Sequence, residues 1–208
     1  MPVGTLSSVL EHVSSLSAAP ERNADELLAL VRSAEPEVRL RALEALVSVT
    51  SPLVEAAAVA ALSDPDELVR IAAIELIEGQ AISSQARSVW HLARTDEDEL
   101  VRQCALVALS RLEEGPTDAE VVANLAASGP ARIAACFLLV RRGRREWLLP
   151  LLEGLFDPTH STRILTLNLA DGLLAPQEIG FVSSLLRVIE RTDDSVAVRL
   201  RIAEFLAT

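Results

Sequence analysis

The sequence predicts an all-α protein, a right-handed α-solenoid (α-α superhelix) of about six helix pairs behind an N-terminal capping helix. Three observations predict it. Half of the 208 residues are hydrophobic, yet aromatics make up only 3% and tyrosine is absent, so the core must be built from Leu, Ala, Val and Ile. Ala and Leu lose little side-chain freedom in a helix. An arginine recurs at positions 39, 70, 102, 132, 163 and 199, at steps of 31, 32, 30, 31 and 36 residues, each time between a short turn and an apolar run. The residues three, four and seven places after it are small or apolar, which is the period of one helix face.

In chain order, residues 5–16 read as a capping helix within segment 1–20, its Ser, Glu and His suiting an end that faces water. Six repeats follow over about 21–50, 51–80, 81–115, 116–143, 144–174 and 175–208, forming one domain over 1–208. The first helix of each pair is expected at 23–33, 52–62, 84–94, 118–127, 146–156 and 177–191. A turn comes next: Glu35-Pro36-Glu37, Asp64-Pro65-Asp66, Asp96-Glu97-Asp98, Gly129-Pro130-Ala131, Asp157-Pro158-Thr159 and Asp193-Asp194-Ser195. Asp64 is placed to cap the second helix, with Pro65 at its first position and Glu67 completing a capping box, and Asp96 with Glu99 repeats the arrangement. These carboxylates therefore have a structural use and need bind no metal.

The second helices carry Ala42, Leu43 and Leu46; Ala73, Ile74 and Ile77; Ala105, Leu106 and Leu109; and Ala135, Cys136 and Leu139 at the apolar positions. Alanine three places after the arginine lets helices approach closely. The fifth repeat departs with Thr166 and Ala170, the sixth with Ile202 and Ala203. One such pair cannot bury its apolar face alone; stacking buries it.

The run Leu62-Ser63-Asp64-Pro65-Asp66-Glu67-Leu68-Val69-Arg70-Ile71-Ala72-Ala73-Ile74-Glu75-Leu76 resembles the short bacterial HEAT-like repeat, also called the phycobilisome-lyase type. The resemblance covers residues 23–208 and is strongest over 35–112. It implies that the second helices line a concave face. It also implies an aspartate–arginine ladder between adjacent repeats, made here by Asp64, Asp96, Asp157 and Asp193 with Arg39, Arg70, Arg102, Arg132, Arg163 and Arg199. The fourth repeat lacks the aspartate, so the resemblance supports no rung there.

A net charge of −11 argues against a broad nucleic-acid surface, which needs clustered cations to displace counterions. All 19 basic residues are arginine, a bias pointing to a G- and C-rich bacterial source. No apolar run is long enough to span a bilayer and no leader pattern opens the chain, so a cytoplasmic protein without membrane contact is expected. Cys104 and Cys136 sit in apolar helical runs and read as reduced core residues. His12, His91 and His160 belong to different repeats and to no metal or nucleophile motif; P-loop, GxSxG and CxxC patterns are absent. No catalytic residue, metal or cofactor is expected.

Two features are candidates for binding. Arg141, Arg142, Arg144 and Arg145 cluster beside Trp147, suited either to carboxylate or phosphate recognition or to complementing a helix end. On the presumed concave face, the fifth position after each repeat arginine holds Glu44, Glu75, Val107, Phe137, Asn168 and Glu204. With Gln103, Arg111 and Arg141 these would form a groove with an apolar centre and a charged rim. Phe137 and Val107 could equally pack on the next repeat, and Trp90 and Trp147 read as packing anchors. The partner-binding set is Glu44, Glu75, Gln103, Val107, Arg111, Phe137, Arg141, Asn168, Arg144 and Arg145.

The expected function is a non-catalytic scaffold or adaptor whose concave face binds a protein partner, basic in charge, in the manner of an immunity protein or antitoxin against a basic effector. The resemblance offers a phycobilin lyase or lyase-chaperone-like role as the alternative. A DNA-glycosylase-like repair role ranks below it, because the groove would carry Glu44, Glu75 and Glu204 where cations are needed.

Overall fold

A computed structural model describes residues 5–125 and 129–207. Every regular element among them is helical, and the chain divides into two compact units, Met1–Thr117 and Asp118–Thr208.

The first unit contains α1 (Leu6–Ser17), α2 (Ala24–Leu30), α3 (Pro36–Leu46), α4 (Pro52–Ala61), α5 (Glu67–Gly79), α6 (Ala86–Thr95) and α7 (Glu99–Ala108). Several of these helices start where a side chain satisfies a free amide. Thr5 caps α1, Ser51 caps α4 with Pro52 at the first position, and a single 3-10 turn, Ser83–Gln85, leads into α6. The second helices α3, α5 and α7 pack in succession, and α1 packs on α3 as the capping helix. The apolar rows that define the repeat form the core: Leu43, Leu46, Ile74, Ile77 and Leu109 have no exposed surface. Each such side chain contributes about 1.5–3 kcal/mol of burial. Trp90 joins this core and carries Arg94 5.8 Å above its ring.

The second unit contains α8 (Asp118–Ala123), α9 (Gly129–Arg141), α10 (Leu148–Leu152), α11 (His160–Ala170), α12 (Pro176–Thr192) and α13 (Val196–Ala207). Single 3-10 turns, Arg145–Trp147 and Glu153–Phe156, flank α10. Its core gathers Ile133, Cys136, Leu151, Leu155, Leu167, Val182, Leu186 and Ile202, with Trp147 partly buried against it. The fifth repeat's departure from pattern has a physical cause. A Cβ at Gly154 would overlap Thr166 Oγ1 and come within 2.7 Å of Ile133 Cδ1, so two elements meet where only glycine fits. Thr166, fully buried, returns its hydroxyl to the Thr162 carbonyl at 2.9 Å and leaves no polar atom unpaired.

The aspartate caps fall two residues later than the sequence reading placed them. Asp66 caps α5 by accepting from the Leu68 and Val69 amides, and Asp98 does the same for α7 from Leu100 and Val101. Pro65 precedes the cap. The earlier aspartates are diverted: Asp64 accepts the Asp66 amide at 3.0 Å and Asp96 the Asp98 amide at 2.9 Å, which frees each carboxylate for an arginine of the preceding repeat.

Candidate functional site

The repeat arginines set the spacing of the layers. Four of them send Nη1 to two carbonyls of their own turn: Arg39 to Ser33 and Ala34, Arg70 to Asp64 and Pro65, Arg102 to Asp96 and Glu97, Arg163 to Asp157 and Pro158. The opposite edge of the guanidinium reaches the next repeat. Arg39 grips Asp64 with Nε at 2.8 Å and Nη2 at 2.7 Å. Arg70 grips Asp96 at 2.9 and 2.8 Å. In the second unit, Arg163 Nη2 bonds Asp193 at 3.0 Å and Asp194 at 2.7 Å, while its Nε lies 2.9 Å from Asp193 Oδ2 without alignment for a hydrogen bond. Burial pushes the Asp64 carboxyl up, but the bonds from Arg39 and the Asp66 amide outweigh it and hold the group below the ordinary carboxylate range.

One expected rung, from Arg132 to Asp157, is not formed. Arg132 lies 3.8 Å from Glu153, and Asp157 instead accepts from the Thr159 amide and hydroxyl. Arg102 keeps its carbonyl bonds but has no carboxylate partner among the described residues, as the fourth repeat's missing aspartate implied. The end of the helix expected at 118–127 reaches residues 126–128, which lie outside the described residues.

Of the sequence-predicted residues on α3, α5 and α7, Glu75 lies within electrostatic reach of Glu44 and of Glu78, and Glu78 pairs with Arg111. Glu44 and Glu75 are exposed; Gln103 and Val107 are half-buried. Glu44 bonds Arg41 at 2.9 Å, which also holds Glu37. Arg111 crosses from the end of α7 to Glu78 on α5 at 2.6 Å. Glu75 has no cationic partner among the described residues. Partial desolvation, then the charges of Glu44 and Glu78, push its pKa up. Glu78 belongs to this face although the sequence reading left it out; its place at the eighth position after Arg70, one helical turn beyond Glu75, is the signal that could have found it.

The second unit holds the remaining residues. Phe137 is half-buried against the core cluster. Asn168 is exposed and accepts from Arg201 Nε at 2.7 Å; Arg201 also bonds Asp171 at 2.7 Å. In the arginine cluster, Arg142 and Arg144 converge on Asp118, and Arg145 pairs with Glu178 and donates to the Leu173 carbonyl at 3.2 Å. Arg144 holds the Asp118 carboxyl below its ordinary range against a burial effect of opposite sign. Arg141 is exposed and makes no ion pair among the described residues.

No group of histidine, cysteine and carboxylate side chains able to hold a metal occurs among the described residues. Burial pushes both thiols up to about 11, so neither Cys104 nor Cys136 forms a ready thiolate at neutral pH. No described helix is long and apolar enough to cross a membrane.

Residues 24–110, from α2 through α7, match the family model for HEAT repeats. The match supports a HEAT-like repeat protein, a class of scaffold that commonly binds other proteins. No curated protein matches the chain.

Proposed function

We propose that this HEAT-like repeat protein is a non-catalytic scaffold whose first unit binds a basic protein partner on the face of α3, α5 and α7. The observation that carries the reading is Glu75. It stands between Glu44 and Glu78 with no cation of its own among the described residues, in a chain of net charge −11. Like charges at this spacing oppose one another, and a lysine or arginine brought by a partner relieves that repulsion. Gln103 and Val107 offer half-buried contact beside the acidic row, and Arg111, tied to Glu78, fixes its edge. An immunity protein or antitoxin directed at a basic effector is the functional setting that this chemistry fits. On the second unit, Phe137, Arg141 and Asn168 form a separate set of contact residues. Arg144 and Arg145 support that set from within, since their guanidinium groups are engaged by Asp118 and Glu178.

The test is affinity purification from lysate with the intact chain and with its Glu44→Lys/Glu75→Lys variant, followed by identification of retained proteins. A stoichiometric basic protein on the native chain, lost from the variant, is the expected result. Retention of no protein, or of the same protein by both chains, would overturn the reading.

A further inference from the structure

Among the described residues two arginines meet the acidic row of Glu44, Glu75 and Glu78, and they are held differently. Arg111 lies 2.6 Å from Glu78, whose side chain is only 14% exposed. Taking Arg111 away would leave a largely buried carboxylate without its counter-charge, so that pair persists. Arg41 lies on the surface. Its side chain is 53% exposed and bonds two carboxylates that are exposed themselves, Nε to Glu37 and Nη1 to Glu44, each at 2.9 Å. Exposed pairs of this kind contribute about 0.2–1 kcal/mol each, little enough for another cation to exchange with them.

The spacing of these residues gives Arg41 a second place to go. On α3, Glu37 stands four residues before it and Glu44 three residues after it, the two separations that bring side chains together on a helix. Releasing Glu44 leaves Arg41 bonded to Glu37, so its charge is not stranded. The side chain also has room to move. A cleft of about 660 Å³ is lined by Leu10 and Ser14 of α1 and Ser48 beyond α3, and Glu37, Arg41 and Glu44 all border it. Glu44 therefore has two neighbours with opposite consequences. Arg41 neutralises it, whereas Glu75, its pKa raised by burial and then by Glu44, shares its need for a cation.

We propose that Arg41 is a built-in competitor for the acidic face, holding Glu44 until an arginine or lysine of the basic partner displaces it onto Glu37. The inference rests on the basic-partner reading and adds a regulator to it. A cation docking between Glu44 and Glu75 has to move Arg41 aside, so the native face binds cations less tightly than its carboxylates alone would. A ligand that touches Glu44 alone gains no more than Arg41 already supplies. A partner that engages Glu44 and Glu75 together gains the interaction that Arg41 does not make, and the resident arginine thereby acts as a filter on partners.

Binding of a fluorescently labelled hexa-arginine peptide to the intact chain, followed by anisotropy at constant salt, tests it. Glu44→Gln/Glu75→Gln is expected to bind more weakly than the native chain, as the basic-partner reading requires. Arg41→Gln is expected to bind about threefold more tightly, the effect of removing one exposed ion pair. Arg41→Gln/Glu37→Gln is the deciding variant, because it keeps the net charge of −11 while freeing Glu44. It too is expected to bind about threefold more tightly than the native chain, with unchanged helical circular dichroism. A double variant that binds as the native chain does, while Glu44→Gln/Glu75→Gln weakens binding, overturns the role of Arg41 and leaves the basic-partner reading in place. Equal affinity of the native chain and Glu44→Gln/Glu75→Gln, or binding by none of the chains, overturns both.

Discussion

Arg70 and Asp96 are joined edge to edge, Nε to Oδ2 at 2.9 Å and Nη2 to Oδ1 at 2.8 Å, with only 8% and 4% of their side chains exposed. A carboxylate and guanidinium so far removed from water have given up hydration that each other, the turn carbonyls and the Asp98 amide replace. The pair is therefore less a source of net stability than a strict requirement on layer spacing. Removing one partner leaves the other charged and uncompensated. Asp96→Ala is expected to cost about 3–5 kcal/mol in urea unfolding, whereas Glu37→Ala, which breaks the exposed Arg41 pair, costs less than about 1 kcal/mol. Equal losses in the two variants would show that the ladder is not the element that sets the layers.

The lowered carboxyl of Asp64 ties stability to acid. Its folded-state pKa lies below the unfolded one, so its contribution is present in full above the unfolded carboxylate range and is lost as pH falls through the folded value. Asp118 has the same sign. Melting temperature is expected to fall steadily below about pH 4, and Asp64→Asn to flatten that decline while lowering stability at pH 7. An unchanged acid limb in Asp64→Asn would contradict the assignment.

Glu75 has the opposite sign. Its pKa is raised on folding, so the charged form opposes folding above the folded-state value and that opposition disappears on acidification. Because the group is exposed and solvent screens it, Glu75→Gln is expected to stabilise the chain by no more than about 0.5 kcal/mol at pH 7, and by nothing at low pH. The same substitution is expected to weaken binding of a basic partner.

Two helix ends make a matched comparison. α9 closes through Gly143 at φ 86°, with the Arg144 amide returning to the Leu139 carbonyl at 3.0 Å. α5 closes in the same way through Ala81 at φ 52°, with the Ile82 amide on the Ile77 carbonyl at 2.9 Å. A Cβ in this left-handed region costs roughly 1 kcal/mol. Ala81→Gly is therefore expected to raise stability, and Gly143→Ala to lower it, each by about that amount in thermal unfolding.

Gln80, next to that turn, brings its side-chain amide to the Leu46, Val47 and Val49 carbonyls at 3.2, 3.2 and 2.9 Å, closing the open end of α3 from the following repeat. Gln80→Ala is expected to cost about 1–2 kcal/mol by stranding those acceptors.

Helices were legible because their signal is local and repeated. The arginine step located every second helix, and the rows at Leu43, Ile74 and Leu106 proved to be core. Cap positions were less legible, since Asp64-Pro65-Asp66 offers two aspartates, and only the partner Arg39, 25 residues earlier, decides which one caps. Long-range pairings left no trace in periodicity. Nothing in Arg144 or Arg145 announces Asp118 or Glu178, and nothing in Gln80 announces the end of α3. On the acidic face the exposed positions of Glu44 and Glu75 followed from helical spacing, but their mutual repulsion emerged only once α3 and α5 were set side by side.

The two-edged grip of Arg39, Arg70 and Arg163 gives the repeats a grammar. The turns at Asp64, Asp96 and Asp193 each supply carbonyls to one arginine and a carboxylate to another, so those layers carry interchangeable fittings. Excising the whole stretch between equivalent points of two neighbouring turns would hand Arg39 the carboxylate of Asp96 in place of Asp64, with no rung left dangling. Such a chain can shorten or lengthen by whole modules over evolutionary time, whereas a cut of half a module would strand a charge.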